Sequence, residues 1–264
     1  MDVLRLFSIA HKTALVTGGS RGIGYMIAEG FVRSGAKVYI SARKKEACDQ
    51  AAQSLAAVGE CISIPADVAT AEGRERLVSE IKSREPKLDI LVNNAGAAWG
   101  APIADFPEAG WDKVVDTNLK AVFFLTRDLL GLLEKAGTHA DPARVINIGS
   151  IDGLQVPNIE TYPYSASKAA VHHMTRVLAV RLGSRHITVN AIAPGPFESK
   201  MTEWLLSEHG KQITAQCPLK RIGQPSDMAG AAIFLASPAA SYVNGAVIPV
   251  DGGIHISTLQ NSPI

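Results

Sequence analysis

Short runs of β-branched and aliphatic residues recur along the chain, at residues 13–17, 37–41, 61–65, 89–93, 144–149, 188–193 and 246–250. Each run except the last is flanked by a longer segment whose apolar residues recur with the period of a helix. Strands that are apolar on both faces and alternate with helices are typical of a parallel sheet covered by helices on both sides. The pattern therefore predicts an α/β fold, with a doubly wound, Rossmann-type parallel sheet of about seven strands.

Three segments between these strands stand out. Two helices are expected to be long, at about 107–136 and 162–182. Residues 194–218 differ, because Pro and Gly precede an amphipathic stretch there, and an insertion of this kind between a strand and the next helix is often a lid. We expect a single domain over residues 1–264, with a substrate lid at about 195–218.

Composition narrows the class of protein. Of the 264 residues, 47% are hydrophobic and 19% are charged, which excludes a disordered chain. The net charge of +1 argues against nucleic acid or an anionic membrane as the partner, and no apolar run is long enough for membrane insertion. The first strand begins at about Thr13, which leaves no room for a signal peptide.

The three cysteines, Cys48, Cys61 and Cys217, lie far apart in the sequence. Their number and spacing indicate neither a disulfide framework nor a metal-binding CxxC pair, and the histidines form no HxxxH or HExxH pattern. We therefore expect a reducing compartment, a cytoplasmic location and no metal site.

A glycine-rich loop, TGGSRGIG, separates the first strand from the first long helical segment. Gly18 would allow a tight turn, Gly22 would let the backbone approach a pyrophosphate, and Gly24 would let helix and strand pack closely. The loop lacks the GxxxxGK[ST] pattern, so a P-loop nucleotide hydrolase is disfavoured. The loop predicts a dinucleotide site, with a purely structural turn as the alternative.

The end of the second strand indicates which nicotinamide cofactor fits. NAD sites commonly place Asp or Glu there, but this chain has Arg43, and Arg21 in the glycine loop adds a second cation. A guanidinium matches a 2′-phosphate in charge and in fork geometry. The sequence therefore predicts NADPH or NADP as the cofactor, while Lys44 and Lys45 are expected to be solvated.

Tyr164 and Lys168 lie on one face of a predicted helix, in the sequence YSASK. An ammonium about 4 Å from the hydroxyl would favour the phenolate by about 4 kcal/mol, or roughly three pKa units, at an effective dielectric near 20. Tyr164 would then exchange a proton with a carbonyl oxygen near neutral pH. We therefore expect an acid–base pair at this position.

Two further polar residues stand where a site would need them. Ser150 follows the fifth strand, at the sheet edge where doubly wound folds bind ligands, and would hydrogen-bond a carbonyl or cap a turn. Asn118 interrupts an otherwise apolar helix, where a buried amide usually has a specific partner, often water. Both are candidate site residues.

Seven motifs occur in order along the chain: TGGSRGIG, DV, NNAG, the Asn of DTNL, the Ser of NIGS, YSASK and the PG of IAPG. Together they resemble the short-chain dehydrogenase/reductase family, in its short single-domain branch, over nearly the whole chain. Within that family the chain is most similar to the 3-oxoacyl thioester reductases, including the ketoacyl reductases linked to rhamnolipid synthesis.

The resemblance implies an NADPH-dependent oxidoreductase that reduces a ketone to a secondary alcohol, the ketone being a 3-oxoacyl thioester or another hydrophobic ketone. Tyr164 would be the acid–base residue, and Lys168 would lower its pKa and hold the nicotinamide ribose. Ser150 would orient the carbonyl, and Asn118 would hold a water that links Lys168 to solvent.

The resemblance also implies which residues bind the cofactor. Those at its phosphates and 2′-phosphate are Gly18, Ser20, Arg21, Gly22, Ile23, Gly24 and Arg43. Those at the adenine and its ribose are Asp67, Val68, Asn93, Ala95 and Gly96. Those around the nicotinamide are Tyr164, Lys168, Pro194, Gly195, Phe197 and Ser199.

Other functions remain open. An NADP-dependent alcohol dehydrogenase would run the same chemistry in the oxidative direction on a steroid, a polyketide or a small alcohol. Enoyl reduction is less favoured, because related enoyl reductases have a longer Tyr-to-Lys spacing than YSASK. A non-catalytic NADP-sensing protein would usually lack the Tyr or the Lys, both of which this chain has.

Several residues near the motifs have an open role. Tyr162 has no lysine four positions later and is expected to form part of the substrate wall. Asp152 and Glu160 would either shape substrate choice or be solvated loop acids, and His172 and His173 are expected to be structural.

The expected partners are a small-molecule carbonyl substrate and further copies of the chain. The apolar residues expected to line the pocket and lid are Trp99, Pro102, Ile151, Leu154, Val156, Pro157 and Trp204. The helices around 107–136 and 162–182 resemble those that pair across subunits in this family, which implies a homotetramer, with a dimer as the alternative.

Overall fold

The computed structural model describes residues 2–200 and 202–257, and within them seven strands form one sheet. The strands are β1 (Thr13–Thr17), β2 (Lys37–Ser41), β3 (Cys61–Ser63), β4 (Ile90–Asn93), β5 (Ala143–Ile148), β6 (Ile187–Pro194) and β7 (Val247–Val250). Their order across the sheet is β3-β2-β1-β4-β5-β6-β7, and every neighbouring pair is parallel. The predicted fold class, a doubly wound Rossmann-type sheet, is confirmed.

Helices cover both faces of this sheet. They are α1 (Val3–Leu6), α2 (Gly22–Arg33), α3 (Lys45–Ala56), α4 (Ala71–Arg84), α5 (Glu108–Val115), α6 (Ala121–Asp128), α7 (Leu130–Ala136), α8 (Tyr162–Leu182), α9 (Glu203–Gln216) and α10 (Pro225–Ala236). No helix in the described part of the chain is long and apolar enough to cross a membrane.

Alternate residues of β1 enter two separate apolar cores. Val16 packs with α2, α3 and α10, through residues such as Phe31 and Leu235. Leu15 packs on the other face with α4, α6, α7 and α8, through residues such as Leu77 and Leu133. Because successive side chains of a strand point to opposite faces, a strand buried on both sides must be apolar throughout. This explains why the strands read as continuous apolar runs.

The long helix predicted at about 162–182 is confirmed as α8, whereas the helical stretch predicted at about 107–136 has the expected bounds but is divided. That stretch contains α5, a π-helical turn at Asp116–Lys120, α6 and, after a break at Leu129, α7. The π turn holds Asn118, whose amide bonds to the backbone of a neighbouring loop. Single π turns inside helices are frequent at functional sites.

The segment predicted as a lid carries α9, which is longer than the amphipathic stretch seen in the sequence. None of the described side chains of this helix is buried. The segment is held near its two ends, where Thr202 Oγ1 donates to Phe197 O at 2.6 Å, and where Ile213 and Cys217 pack with Ile151 and Ile254. Such a helix has little packing that opposes its displacement.

Candidate active site

The carboxyl ends of the central strands bring the sequence motifs together. The glycine loop follows β1, NNAG follows β4, Ser150 follows β5, and Pro194 and Gly195 follow β6. The strand order reverses between β1 and β4, because successive strands run outward from this pair in opposite directions. In open α/β sheets this switch point is where ligands bind.

The glycine loop has the backbone that the sequence predicts. Gly18 and Gly22 have φ of +67° and +54°, a region that side chains disfavour. A Cβ on Gly24 would lie 2.3 Å from Gly18 O, so only glycine lets α2 approach the loop this closely. The side chain of Arg21 does not cap α2. The first backbone N–H groups of α2 are therefore available to an anion.

Two residues that sequence reasoning missed hold this loop in place. Thr17 Oγ1 accepts hydrogen bonds from the N–H groups of Asn94 at 3.0 Å and Ala95 at 3.1 Å. Asn94 Nδ2 in turn donates to Thr17 O at 2.8 Å and Gly18 O at 3.2 Å. These contacts join the end of β4 to the glycine loop. The available signal was the second Asn of NNAG, whose side chain had no assigned role.

Asn93 lies at the end of β4, but its side chain turns away from the glycine loop. Its Nδ2 donates to Asn147 Oδ1 at 2.9 Å and to Thr126 Oγ1 at 3.3 Å, and the residue is 2% exposed. Only the backbone of Asn93 therefore remains for a ligand. Ala95 is half-buried and Gly96 is exposed, so both border the open edge.

The two arginines expected at a 2′-phosphate are free. Arg21 and Arg43 are exposed, and neither forms an ion pair within the described ranges. Lys45 differs, because its ammonium binds Asp49 at 2.5 Å on the surface of α3. An unpaired guanidinium beside the end of β2 is what an additional phosphate requires.

The residues expected at the adenine lie after β3. Asp67 is half-buried, and its Oδ1 accepts from the N–H of Ala69 at 3.1 Å. Val68 is 4% exposed and packs in the core, while its carbonyl accepts from Arg74 Nη1 at 2.9 Å. Ser20 and Ile23 of the glycine loop are half-buried.

Tyr164 and Lys168 occupy adjacent turns of α8, as the spacing predicts. Lys168 is 4% exposed, its Nζ donates to Ile148 O at 2.7 Å, and it lies 5.6 Å from the centre of the Tyr164 ring. Burial lowers the pKa of Lys168 to about 8, against the opposing effect of the Asp152 charge. The ammonium is thus held at the end of β5, behind the tyrosine.

The predicted lowering of the Tyr164 pKa is wrong for this conformation. Burial raises its pKa to about 12, the interaction with Ser150 lowers it, and the charge of Asp152 raises it further. The desolvation outweighs the favourable partner. The Lys168 ammonium donates to Ile148 O instead of to the tyrosine hydroxyl.

Ser150 caps a turn, one of the two roles that the sequence left open, and its hydroxyl also lies beside Tyr164. Its Oγ accepts from the N–H of Asp152 at 3.1 Å and caps the short turn Ile151–Gly153. The same side chain interacts with Tyr164 and lowers its pKa. Ser150 is 7% exposed, so capping fixes a hydroxyl beside the tyrosine.

Asn118 has protein partners on both ends of its amide. Its Oδ1 accepts from the N–H of Ala97 at 2.8 Å, and its Nδ2 donates to Ala97 O at 3.0 Å and Ser167 Oγ at 3.1 Å. A Cβ placed on Gly96 would lie 3.5 Å from Asn118 Oδ1 and 3.9 Å from Lys168 Nζ. The π turn therefore ties the loop after β4 to α8 beside Lys168.

The start of the lid segment reaches the glycine loop. A Cβ on Gly22 would stand 3.0 Å from Ser199 Cβ, and Ser199 bonds to Thr202. Gly195 donates its N–H to Val250 O at 3.0 Å. Phe197 is 1% exposed and packs against Gly223, which leaves only its backbone at the edge.

The remaining candidates lie around the site. Tyr162 is exposed, and its hydroxyl donates to Glu160 Oε1 at 2.8 Å. His172 is 2% exposed behind Lys168, and His173 points to solvent. Within residues 2–200 and 202–257, no three His, Cys, Asp or Glu side chains are grouped as a metal would require.

Comparison with known proteins identifies relatives over nearly the whole chain. Residues 18–255 match the family model described as enoyl-(acyl carrier protein) reductase. The chain is 46% identical to the rhamnolipids biosynthesis 3-oxoacyl-[acyl-carrier-protein] reductase of Pseudomonas aeruginosa, over 95% of this chain and 98% of that protein. It is 38% identical to gluconate 5-dehydrogenase of Gluconobacter oxydans, over 96% and 98% of the two chains.

Comparison with solved structures identifies the same kind of relatives. The complex of Pseudomonas aeruginosa RhlG with NADP has a TM-score of 0.92 and 46% identity, over 95% of this chain and 99% of that one. A gluconate 5-dehydrogenase from Burkholderia cenocepacia, in complex with NADP and tartrate, has a TM-score of 0.89 and 30% identity, over 97% and 100%. The chain therefore belongs to the short-chain dehydrogenase/reductase family of oxidoreductases, as its motifs predict.

Proposed function

We propose that the protein is an NADPH-dependent reductase that converts a ketone, in the first instance a 3-oxoacyl thioester, to a secondary alcohol. One observation carries this proposal: the Tyr164 and Ser150 side chains interact at the edge of the sheet, with buried Lys168 behind them. This edge adjoins the glycine loop, where the first N–H groups of α2 lack a side-chain cap.

The residues present fit NADPH, which when bound would supply a hydride to the carbonyl carbon. The glycine loop and the N-terminus of α2 would hold the phosphates, and the unpaired Arg21 and Arg43 would hold the 2′-phosphate. The other positions that would border it are Ser20, Ile23, Asp67, Val68, Ala95, Gly96, Pro194, Gly195 and Ser199, with the backbone of Asn93 and Phe197. The NADP in the two solved relatives supports this assignment.

The protein groups divide the proton chemistry between them. Tyr164, with its pKa raised to about 12, keeps its proton at neutral pH and would give it from Oη to the carbonyl oxygen. Ser150 would donate a hydrogen bond to the same oxygen and fix its position. Lys168 would hold the nicotinamide ribose, and its charge would stabilise the tyrosinate that forms. Asn118, fixed beside Lys168, would hold a water that returns protons from solvent.

Apolar side chains around the site support a hydrophobic substrate. Leu154 is 40% exposed, Val156 92% and Ile159 44%, all on the loop between Ser150 and Tyr164, and Trp204 of α9 is 67% exposed. Exposed apolar groups close to a site mark a ligand or partner surface. We propose that segment 195–218 closes over this surface as the lid of a single domain.

A second candidate is an NADP-dependent alcohol dehydrogenase that acts on polyols in the oxidative direction. It is favoured by the similarity to two gluconate 5-dehydrogenases, at 38% and 30% identity. The exposed apolar loop favours the acyl substrate over a sugar acid, since a polyol would bury those side chains against hydroxyl groups.

We also propose a homotetramer that works in the cytoplasm. Val177 and Val180 of α8 are 47% and 80% exposed, and Phe123 of α6 is 42% exposed, which supports burial against another copy. The three cysteines are unbonded, which supports a reducing compartment.

The test is the initial rate of NADPH or NADH oxidation with a 3-oxoacyl thioester, a 3-oxo ester, an aromatic ketone and a steroid ketone. Reduction of the thioester with strong NADPH preference is expected. Oxidation of gluconate with NADP, without reduction of any of these ketones, would establish the second candidate instead. Binding of NADPH without turnover in either direction would point to a sensing protein.

Tyr164→Phe is the decisive variant. We expect kcat to fall by about 100- to 10,000-fold, because the proton donor is lost, while NADPH binding measured by fluorescence is retained. Tyr162→Phe is the matched control, since its hydroxyl is exposed and bonded to Glu160. Wild-type activity in Tyr164→Phe would refute the acid–base assignment.

A further inference from the structure

The turn after β5 holds an acidic residue, Asp152, against the proposed site. Its N–H donates to Ser150 Oγ at 3.1 Å, which fixes it to the residue that would orient the carbonyl. On its other side, a Cβ on Gly153 would lie 2.8 Å from the backbone carbon of Lys168 and 2.8 Å from the N of Ala169. The turn that holds Asp152 is therefore packed directly on α8 at Lys168.

The Asp152 carboxylate has no assigned partner. It is half-buried, and within the described residues it accepts no hydrogen bond and forms no ion pair. Acids with more buried side chains are bonded: Asp89 and Asp251, for example, accept hydrogen bonds from backbone N–H groups. Glu160, the other acid of this region, bonds to Tyr162 on the surface. Burial raises the pKa of this carboxyl and the charge of Lys168 lowers it, so Lys168 is the cation that favours its charged form.

The charge of Asp152 reaches the groups that would do the chemistry. It raises the pKa of Tyr164 and also that of Lys168, although burial has the larger effect on each. A charge that acts on the tyrosine hydroxyl also acts on any charge that a substrate places beside it. A second carboxylate there would be repelled, with a penalty of about 10- to 100-fold in affinity at an effective dielectric near 20.

We propose that Asp152 is a specificity-determining residue, which excludes ketones that carry a carboxylate close to the carbonyl and thereby selects neutral ketones such as thioesters and esters. This inference rests on the proposed function, since it concerns the same site. It concerns a carboxylate close to the reacting ketone, as in a 3-oxo acid, which a 3-oxoacyl thioester or ester lacks.

The test compares kcat/KM for ethyl acetoacetate and acetoacetate, which share the ketone and differ in the charge beside it. We expect the wild type to prefer the ester strongly. Asp152→Asn should reduce this preference by about 10- to 100-fold, chiefly through a lower KM for acetoacetate, since the Lys168 charge is then unopposed. Asp152→Glu should retain the preference, and Glu160→Gln is the matched surface control.

Two results would overturn the proposal: an unchanged ester-to-acid ratio in Asp152→Asn, or the same change in Glu160→Gln.

A wild type that reduces neither ketone would count against the proposed function, and the charge effect is then measured without a substrate. Tyr164, His172 and Asp152 are the titratable groups around Lys168. Asp152→Asn should lower the pH at which NADPH affinity declines, because the carboxylate raises the Lys168 pKa. An unmoved decline would show that the charge does not reach the site.

Discussion

The position of a side chain at the site can be predicted from the sequence where a motif fixes both the residue type and its place at the end of a strand. Gly18, Ser150 and Tyr164 lie at the same edge because each follows or faces the carboxyl end of a parallel strand. The sequence could not reveal the two contacts by which Asn94 holds the glycine loop, since amide direction depends on the neighbouring strand. Nor could it reveal the raised pKa of Tyr164, which depends on burial.

Arg43 is expected to determine the cofactor. Arg43→Ala should raise the Kd for NADPH by about 10- to 100-fold, the value of a charge-assisted hydrogen bond, and leave that for NADH unchanged. Fluorescence titration with both cofactors measures this. Lys44→Ala is the control, because Lys44 is exposed and adjacent in sequence. Equal losses for NADPH and NADH would place the 2′-phosphate elsewhere.

His172 is expected to make stability depend on pH. Burial, together with the charges of Lys168 and Arg176, lowers its pKa from 6.5 to about 4. The folded protein then binds fewer protons than the unfolded chain between these values, so its stability is full above pH 6.5 and falls as the pH decreases toward 4.

Urea unfolding at about pH 7.5 and about pH 5 should show a loss of about 2 kcal/mol that is absent in His172→Gln. His173→Gln, at an exposed position, should retain the wild-type dependence. If His172→Gln loses as much stability on acidification as the wild type, other groups are responsible.

Regular elements follow the apolar pattern closely, and the exceptions have local causes. The helix α8 has the predicted bounds, whereas the stretch 107–136 is interrupted where Asn118 bonds to the backbone of Ala97. The hydrophobic period of a helix indicates which of its faces is buried. It gives no information on where the regular hydrogen bonds of the helix are interrupted beside a polar side chain. β3 also ends at Ser63, earlier than predicted, although the N–H groups of Ile64 and Ala66 still bond to Ile40 O and Ala42 O.

Two glycines in helices should respond oppositely to alanine. A Cβ on Gly30 of α2 would lie 2.6 Å from Ala229 Cβ of α10, so Gly30→Ala should cost about 1–3 kcal/mol by forcing the helices apart. A Cβ on Gly230 of α10 would meet no described atom within 4 Å. Gly230→Ala should therefore raise the free energy of unfolding by about 0.5–1 kcal/mol, because alanine has the higher helix propensity. Denaturant midpoints measure both. Two changes of the same sign would contradict the close crossing of α2 and α10.

At the scale of the whole molecule, the sequence predicts a parallel sheet covered by helices on both faces, and the family resemblance implies a homotetramer. The sequence indicates the fold class but not the order of the strands, because apolar runs do not show which strands are neighbours. The proposed homotetramer would explain the exposed apolar residues of α8, Val177 and Val180.

Val180→Asp should therefore reduce the solution mass measured by light scattering, because an interface would have to bury an unpaired charge. Val58→Asp is the control, at a 40% exposed apolar position just after α3. Val180→Asp with the wild-type mass would mean that α8 does not lie in an interface.

The all-parallel sheet also has a consequence for how the chain reaches its native state. β1 pairs with β4, with Ala14 opposite Ile90, although β2, β3 and three helices lie between them in sequence. No two adjacent strands are joined by a hairpin in the described chain, so every pairing must wait for a loop to close over an intervening crossover. Refolding is expected to be slow and dominated by non-local contacts, with β1 exposed to misassociation until β4 has been synthesised.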